Sequence, residues 1–322
     1  MALSLIIPVW NDLPGLDRLL RQVADMEVFC EVIIADDASD EAPGPHNLPA
    51  AAALADRLVW LRSDRRRGAG HARNMALARA RGDHVIFFDS DDLFAADFPR
   101  IAEQAALAEP FDFLIFRHHD SRILDEGGTG MLSGDEKRWQ ALHLGEEPAL
   151  LSPSQARGLV QVAAYPWNKI CRTAFLRDNA IRCTETMVHN DVELHWSSFI
   201  VAERILASGL IGATHFVTNG GNRLTNRRSA ERLEVFGAFR NVMGHITATP
   251  DMARLGYLAP FARFSADLLT WIAENIEPDH GPGLRAGLRD FYLTSLDHRL
   301  MSLIAYRDPE LAGRINRFII GD

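Results

Sequence analysis

Runs dominated by apolar residues stand at Leu3–Val9, Glu31–Ala35 and His84–Phe88, each ending in polar or acidic residues. Runs without alternation suit strands buried on both faces of a parallel sheet. Between them the period changes. Leu16, Leu19, Leu20 and Val23 recur at helical spacing and predict a helix capped by Asn11 or Asp12 and running through Met26. Residues 42–49 read as a Pro- and Gly-bearing loop, followed by a short alanine-rich helix and a strand at Leu58–Leu61. A helix is expected from His71 to Arg81, with Gly82 ending it. Phe111–Phe116 reads as a further strand. Pro8 lacks the N–H that a central strand needs, so it should lie at the end of its strand. Strand and helix alternating in this way predict an α/β fold with a parallel, doubly wound sheet.

The second half is patterned differently. Gly127–Glu147 is polar and weakly periodic, and reads as an insertion or mobile loop. A helix is expected over Ser152–Val162, with Ser152 as cap and Pro153 at its first position. Tyr165–Ile170 reads as a short extended piece, and Asn190 as the cap of a helix reaching about Arg204. A strand is expected near Thr214–Val217. Three helical segments follow, Ser229–Ile246, Tyr257–Ile276 and Leu284–Ile304, too apolar for one stripe and so expected to pack on each other or on the first half.

Composition narrows the classes. The chain has 322 residues, enough for two lobes or one large α/β domain, and a net charge of −9 that argues against a general nucleic-acid binder. Cys30, Cys171 and Cys183 form neither a disulfide framework nor a metal spacing, and fit a reducing compartment. Met1 leads directly into a strand-like run and no apolar stretch is long enough for a bilayer, so the expectation is a protein without export signal or membrane span.

The candidate chemistry lies where strands end in acids. Asp36 and Asp37 follow one strand; Asp89, Asp91 and Asp92 follow another. In open α/β sheets ligands bind beyond the carboxyl ends of strands. Crowded carboxylates repel one another and attract a hard divalent cation, which completes its shell with phosphate oxygens and water. The plainer alternative is a strand end whose acids are solvated or cap the next helix. Arg73 sits in the first turn of the helix that follows the basic turn Arg65–Gly70. A helix N-terminus with an arginine favours an anion such as a pyrophosphate. At least two of Arg65–Arg67 are expected to be a solvated charge run instead. His118, His119 and Asp120 invite a metal reading, but neighbouring strand residues point to opposite faces, which argues against it. Asp191, in the first turn of its helix, has the helix dipole as a plain structural reason to be there.

Taken in order, Leu5–Asn11, Ile33–Asp40, Gly68–Asn74, Phe88–Asp92, Pro166–Lys169 and Asn190-Asp191 resemble the motifs of bacterial family-two inverting glycosyltransferases of the GT-A fold, in their surface-glycan branch. The resemblance covers residues 3 to about 225. It implies a Rossmann-like, mainly parallel sheet with flanking helices. Residues 1–125 would be the nucleotide-sugar half, 126–225 the acceptor half with an insertion at 126–150, and 226–322 a helical C-terminal region. By the same resemblance Asp37 would hold the base of a UDP-sugar beside Pro8, Arg73 would assist the nucleotide, and Asp89 would lie near the ribose. Asp91 would hold Mn²⁺ or Mg²⁺, and Asp191 would be the catalytic base. Lys169, one of two lysines in the chain, is expected to reach the cleft as a point-charge partner of the nucleotide. The expected acceptor is a glycan or lipid-linked hydroxyl in surface polysaccharide synthesis.

The residue before the base is usually Glu in this branch and is Asn190 here. That departure sustains a second reading, a degenerate transferase that binds nucleotide or glycan, or acts as a scaffold, without turnover. A phosphatase with Asp89 as nucleophile leaves Asp36-Asp37 and Arg73 unexplained, and no Gly-x-Gly-x-x-Gly fingerprint supports a dehydrogenase. The expected location is the cytoplasm, with peripheral contact at the inner membrane face. Arg254, Arg263, Arg314 and Arg317 among apolar residues suggest that contact, and a homodimer through the C-terminal helices is the competing use of the same surface.

Overall fold

The computed structural model describes residues 1–217, 228–249 and 251–321. The first half runs β1 (Leu3–Val9), α1 (Leu13–Ala24), β2 (Phe29–Asp36), a 3-10 turn at Pro49–Arg57, β3 (Leu58–Arg62), α2 (Ala69–Arg79), β4 (His84–Phe87), β5 (Leu93–Phe94), α3 (Phe98–Leu107) and β6 (Phe113–Asp120). Then come α4 (Ser121–Asp125), α5 (Ser133–Gln140), β7 (Ala149–Leu150), α6 (Pro153–Leu159), β8 (Lys169–Arg172), α7 (Thr173–Asp178), α8 (Val192–Val201) and β9 (Ile205–His215). The C-terminal region is helical: α9 (Val235–Thr247), α10 (Met252–Leu255), α11 (Leu258–Asn275), α12 (Gly281–Ser295), α13 (His298–Arg307) and α14 (Pro309–Ile320).

Among the described residues the strands form one nine-stranded sheet in the order β3-β2-β1-β4-β8-β6-β9-β5, with β7 also pairing β9. The pairs β1·β2, β1·β4, β2·β3 and β6·β9 are parallel, while β8, β5 and β7 run antiparallel to their neighbours. The sheet is therefore mixed: β5, β7 and β8 run against the other strands, and the unbroken apolar runs of β1, β2 and β4 lie in its parallel part. One face packs on α1 and α3 through Leu16, Leu20, Phe98 and Ile101. The other packs on α2, α8 and the C-terminal helices through Ala72, Trp196, Phe239 and Phe261. The C-terminal helices thus share a core with the sheet.

Several expectations need correction. The polar stretch read as a mobile loop contains α5, anchored by buried Trp139 and by Asp135, whose carboxylate accepts the Ala163 N–H at 2.9 Å. One aromatic in a run of charges leaves no readable period. The alanine-rich helix is a 3-10 turn. The strand expected at Thr214–Val217 is the end of the eleven-residue β9. Its glycines mask the pattern, yet Gly212 is needed there, since a Cβ would lie 2.4 Å from the Phe116 ring of neighbouring β6. The helix after Asn190 ends at Val201, and the segment expected to reach Ile304 breaks at Leu296, where Asp297 caps a new helix by accepting the Arg299 and Leu300 N–H groups. The expected boundary between residues 225 and 226 falls outside the described residues.

Candidate active site

The sheet opens where β1 outruns β4. Their ladder ends at Ile6 opposite Phe87, with the Phe88 N–H donating to the Ile6 carbonyl at 2.8 Å. Backbone direction alternates along a strand. Pro8 therefore turns its missing N–H to the same side as Ile6, beyond the end of that ladder, while Val9 still accepts from Asp37 N–H at 2.9 Å on the β2 side. The proline costs the sheet nothing and stands at the crevice between parallel β1 and β4, where the strand order turns back and α/β sheets take ligands.

Asp36 and Asp37 close the β2 side. Asp36 is ion-paired with Arg62 and caps the Ser39 N–H at 3.0 Å. The two oxygens of Asp37 accept the Arg67 and Gly68 N–H groups at 2.9 and 2.6 Å. Asp37 is 2% exposed, so its first job is to hold the turn into α2; contact with a base would use its remaining lone pairs. Gly68 has φ of 92°, and a Cβ there would lie 2.7 Å from the Thr186 carbonyl oxygen, so the turn needs glycine. In the basic turn Arg66 lies over the Trp10 ring at 3.3 Å and Arg67 pairs with Glu185 at 2.6 Å.

The acidic turn after β4 is clamped from three sides. Ser90 donates to Asp12 at 2.6 Å, and Arg18 donates to the Asp91 carbonyl at 2.5 Å. Asp92, fully buried, meets His215 Nδ1 at 2.9 Å and accepts the Phe216 N–H at 2.9 Å. Burial raises the Asp92 pKa; for His215 burial acts downward, but Asp92, with Asp89 and Asp91 adding, more than offsets it and leaves the imidazole above its ordinary value. This clamping fixes the backbone that presents the partly exposed Asp89 and Asp91. Among the described residues no three His, Cys, Asp or Glu side chains converge as a metal cage. The donor set fits Mg²⁺ or Mn²⁺ nonetheless, because such ions take one or two carboxylates and fill their shell with substrate phosphate and water.

Arg73 joins this turn to the opposite wall. Its Nη2 donates to Asp89 and its Nη1 to Asn190 Oδ1 at 2.6 Å. Burial opposes its charge, but Asp89 and Asp191 hold the guanidinium protonated. Asn190, where the motif it resembles has an acid, thus serves as an acceptor for Arg73. Its backbone carbonyl is tied to Thr184 N–H at 3.0 Å. Asp191 is the first residue beyond, at the entrance of α8, and its carbonyl accepts His195 N–H at 3.0 Å. Its side chain makes no capping bond. Burial pushes its pKa up to about 6, with Arg73 pulling the other way and Asp89 adding to the rise.

Lys169 is the residue placed differently from expectation. It is 0% exposed, so it is no surface lysine, and its charge acts on Asp191 as that of Asp191 acts on it. Its Nζ donates to the Tyr165 carbonyl at 2.7 Å and to Asn168 Oδ1 at 2.6 Å, closing the turn that carries Tyr165 and Trp167. Burial lowers its pKa to about 7. The two rings are stacked 4.5 Å apart, with His118 edge-on to both and His215 5.1 Å from Tyr165. His118 is held neutral by burial, its pKa near 3, and Asp120 is tied to Arg122 at 2.6 Å, so these residues do not form a metal site. The structural roles of Asn190, Asp92 and His215 were not legible in the sequence; only the family position of Asn190 drew attention to it.

Comparison with known proteins agrees with this geometry. The model described as Glycosyl transferase family 2 matches residues 4–124, which holds β1 to β6 with the Asp37, Arg73, Asp89 and Asp91 positions. The uncharacterized glycosyltransferase YfnE of Bacillus subtilis is 38% identical over 101 residues, 30% of this chain and 25% of YfnE, so the match spans a quarter of that relative's length. Residues 1–349 of S. aureus TarS, solved in complex with UDP-GlcNAc, superpose with a TM-score of 0.77 at 21% identity, covering 100% of this chain and 89% of that one. The Pyrobaculum calidifontis mannosyltransferase PcManGT, solved with GDP-Man and Mn²⁺, gives a TM-score of 0.52 at 15% identity over 99% of this chain and 86% of that one. With its mixed sheet, acid-lined crevice and helical C-terminal region, the chain has the GT-A fold, and its residues 4–124 are similar to glycosyl transferase family 2.

Proposed function

We propose that the chain is a metal-dependent inverting glycosyltransferase that moves a sugar from a nucleotide diphosphate, UDP in this reading, to a hydroxyl of a glycan or lipid-linked acceptor in bacterial surface polysaccharide synthesis. The observation that carries the reading is Arg73, bonded at once to Asp89 of the donor rim and to Asn190 beside Asp191. One guanidinium joins the diphosphate side to a carboxylate with a pKa of about 6, the range a general base needs near neutral pH. Residues 1–125 would hold the donor, with Pro8 and Asp37 at the base and Arg73 and Asp89 at the ribose and phosphates. Residues 126–225 would hold the acceptor. A divalent cation held by Asp91, with Asp89 beside it, would supply charge to stabilise the leaving diphosphate. Lys169, bonded to Tyr165 and Asn168 and coupled by charge to Asp191, would support the acceptor-side turn beside the base.

Asp191 takes the acceptor hydroxyl's proton as that oxygen forms a bond to the anomeric carbon. The bond from carbon to the diphosphate oxygen breaks on the opposite face, and the pair of electrons leaves with the diphosphate. One displacement inverts the centre. Among the described residues no helix is long and apolar enough to cross a membrane. Of the arginines offered to lipid, Arg263 pairs with Asp308 and Arg314 with Asp267. The reading keeps the enzyme in the cytoplasm, meeting a lipid-linked acceptor at the inner membrane face. The test is a panel of UDP-sugars with glycan and lipid-linked acceptors. Metal-dependent transfer is the expected result; nucleotide binding without transfer to any acceptor would favour a degenerate binding protein.

A further inference from the structure

The segment that ends in Asp191 is poorly able to hold itself. His189 has φ of 56°, a costly conformation for a side chain of this kind. Asp191 makes no capping bond, and the local backbone contacts are a few single hydrogen bonds from Thr184 and Thr186. One side of the segment is held from α2 and the turn before it, by Arg73 on Asn190, Arg67 on Glu185 and Asn74 on the Cys183 backbone; the other side is held by the C-terminal region. Asn241 of α9 donates to the buried Glu193 carboxylate at 2.9 Å, on the same oxygen that Thr184 Oγ1 reaches at 2.6 Å. Arg232, in the 3-10 turn before α9, donates to His189 Nε2 at 3.1 Å and lies over the Trp271 ring of α11 at 4.6 Å. Glu234 accepts the Met187 N–H at 3.1 Å. Trp196, one turn into α8, packs against Phe261 and Phe264 of α11 at 5.0 and 5.1 Å.

These contacts fall on residues 184–196 from both sides of Asp191, and they come from α9, α11 and the turn ahead of α9, opposite the grip of α2 on residues 183–190. We propose that the C-terminal helices belong to the catalytic apparatus, with Asn241 and Arg232 as positioning residues that hold the Asp191 turn in register with the donor rim. The inference rests on the glycosyltransferase reading for its kinetic consequence but not for its geometric one. Glu193 is the hinge of the argument: a buried carboxylate with two donors keeps the first turn of α8 fixed, whereas one donor leaves it underpaired and free to rotate. A displacement of about 1 Å at a catalytic group costs about 100-fold in rate.

The experiment uses the full chain and the variants Asn241→Leu and Glu193→Gln with Asn241→Asp, the second reversing donor and acceptor across the same contact. UDP affinity and stoichiometry count the folded donor sites; kcat is expressed per such site. Asn241→Leu is expected to keep UDP affinity within about twofold and lower kcat by about 10- to 100-fold. The reversed pair should recover most of that loss. Hydrogen exchange should quicken in residues 184–193 of Asn241→Leu and stay unchanged in β1 and α1, residues 3–24, which among the described residues make no bond to that segment. Unchanged exchange at 184–193, or unchanged kcat per site, would overturn the proposal. If Asn241→Leu shows the exchange response while the wild-type chain transfers no sugar, the mechanical grip stands and the glycosyltransferase reading falls with the catalytic role.

Discussion

Replacing Asp191 with Asn should make the protein more stable and nearly inactive at the same time. In the folded chain burial raises the Asp191 pKa from 3.8 to about 6. Between those values the folded state holds a proton that the unfolded chain has released, so stability falls as pH rises through this window, and the full cost is present above about pH 6. A shift of about two units is worth about 3 kcal/mol. Asp191 keeps some exposure to the cleft, so solvent screening makes that an upper bound. Asn carries no charge at any pH and removes the cost. Thermal melts of wild type and Asp191→Asn should coincide near about pH 4 and separate by a few degrees in favour of the variant near about pH 8. Transfer should drop by about 10²- to 10⁴-fold in the variant, the usual worth of a general base. A variant no more stable than wild type at the higher pH would refute the burial argument, and near-normal transfer would refute the assignment of the base.

Other outcomes follow from the same geometry. Wild-type kcat/KM should rise with pH through about 6 and then level, because the base must be ionised; a flat profile across that range would deny Asp191 the role. Asn190→Asp adds a negative charge beside Arg73 and Asp191, so the acidic limb should move up by roughly one pH unit, read from the same profile. Asp91→Asn should reduce UDP affinity in Mn²⁺ while leaving affinity in chelator unchanged, measured by calorimetry; equal losses in both would remove the cation from Asp91. Arg73→Lys cannot bridge Asp89 and Asn190 with one fork, and should weaken UDP binding by about tenfold.

The N-terminal half was legible because its signals are local. Buried parallel strands must be apolar throughout, and their acids at Asp37, Asp89 and Asp91 follow directly in the chain. Asp191 could be singled out only through its motif. What makes it a base candidate, the bridge from Asp89 through Arg73 to Asn190, joins side chains separated by 16 and 117 positions. Lys169 shows the limit most clearly. Its rarity drew attention, but nothing in its flanking residues says that its ammonium is fully buried against Tyr165 and Asn168. β9 was obscured by Gly209 and Gly212, where close packing against neighbouring strands and loops replaces the apolar pattern. The C-terminal helices were legible as helices, and their grip on Glu193 and His189 was not, since it depends on how they fold back.

The central claim is a single displacement at the anomeric carbon with Asp191 as base. The most direct measurement is proton NMR of the first glycosidic product formed from an α-linked UDP-sugar, taken before any spontaneous equilibration. The account predicts a β-linked product from the wild-type chain. An α-linked product would contradict it.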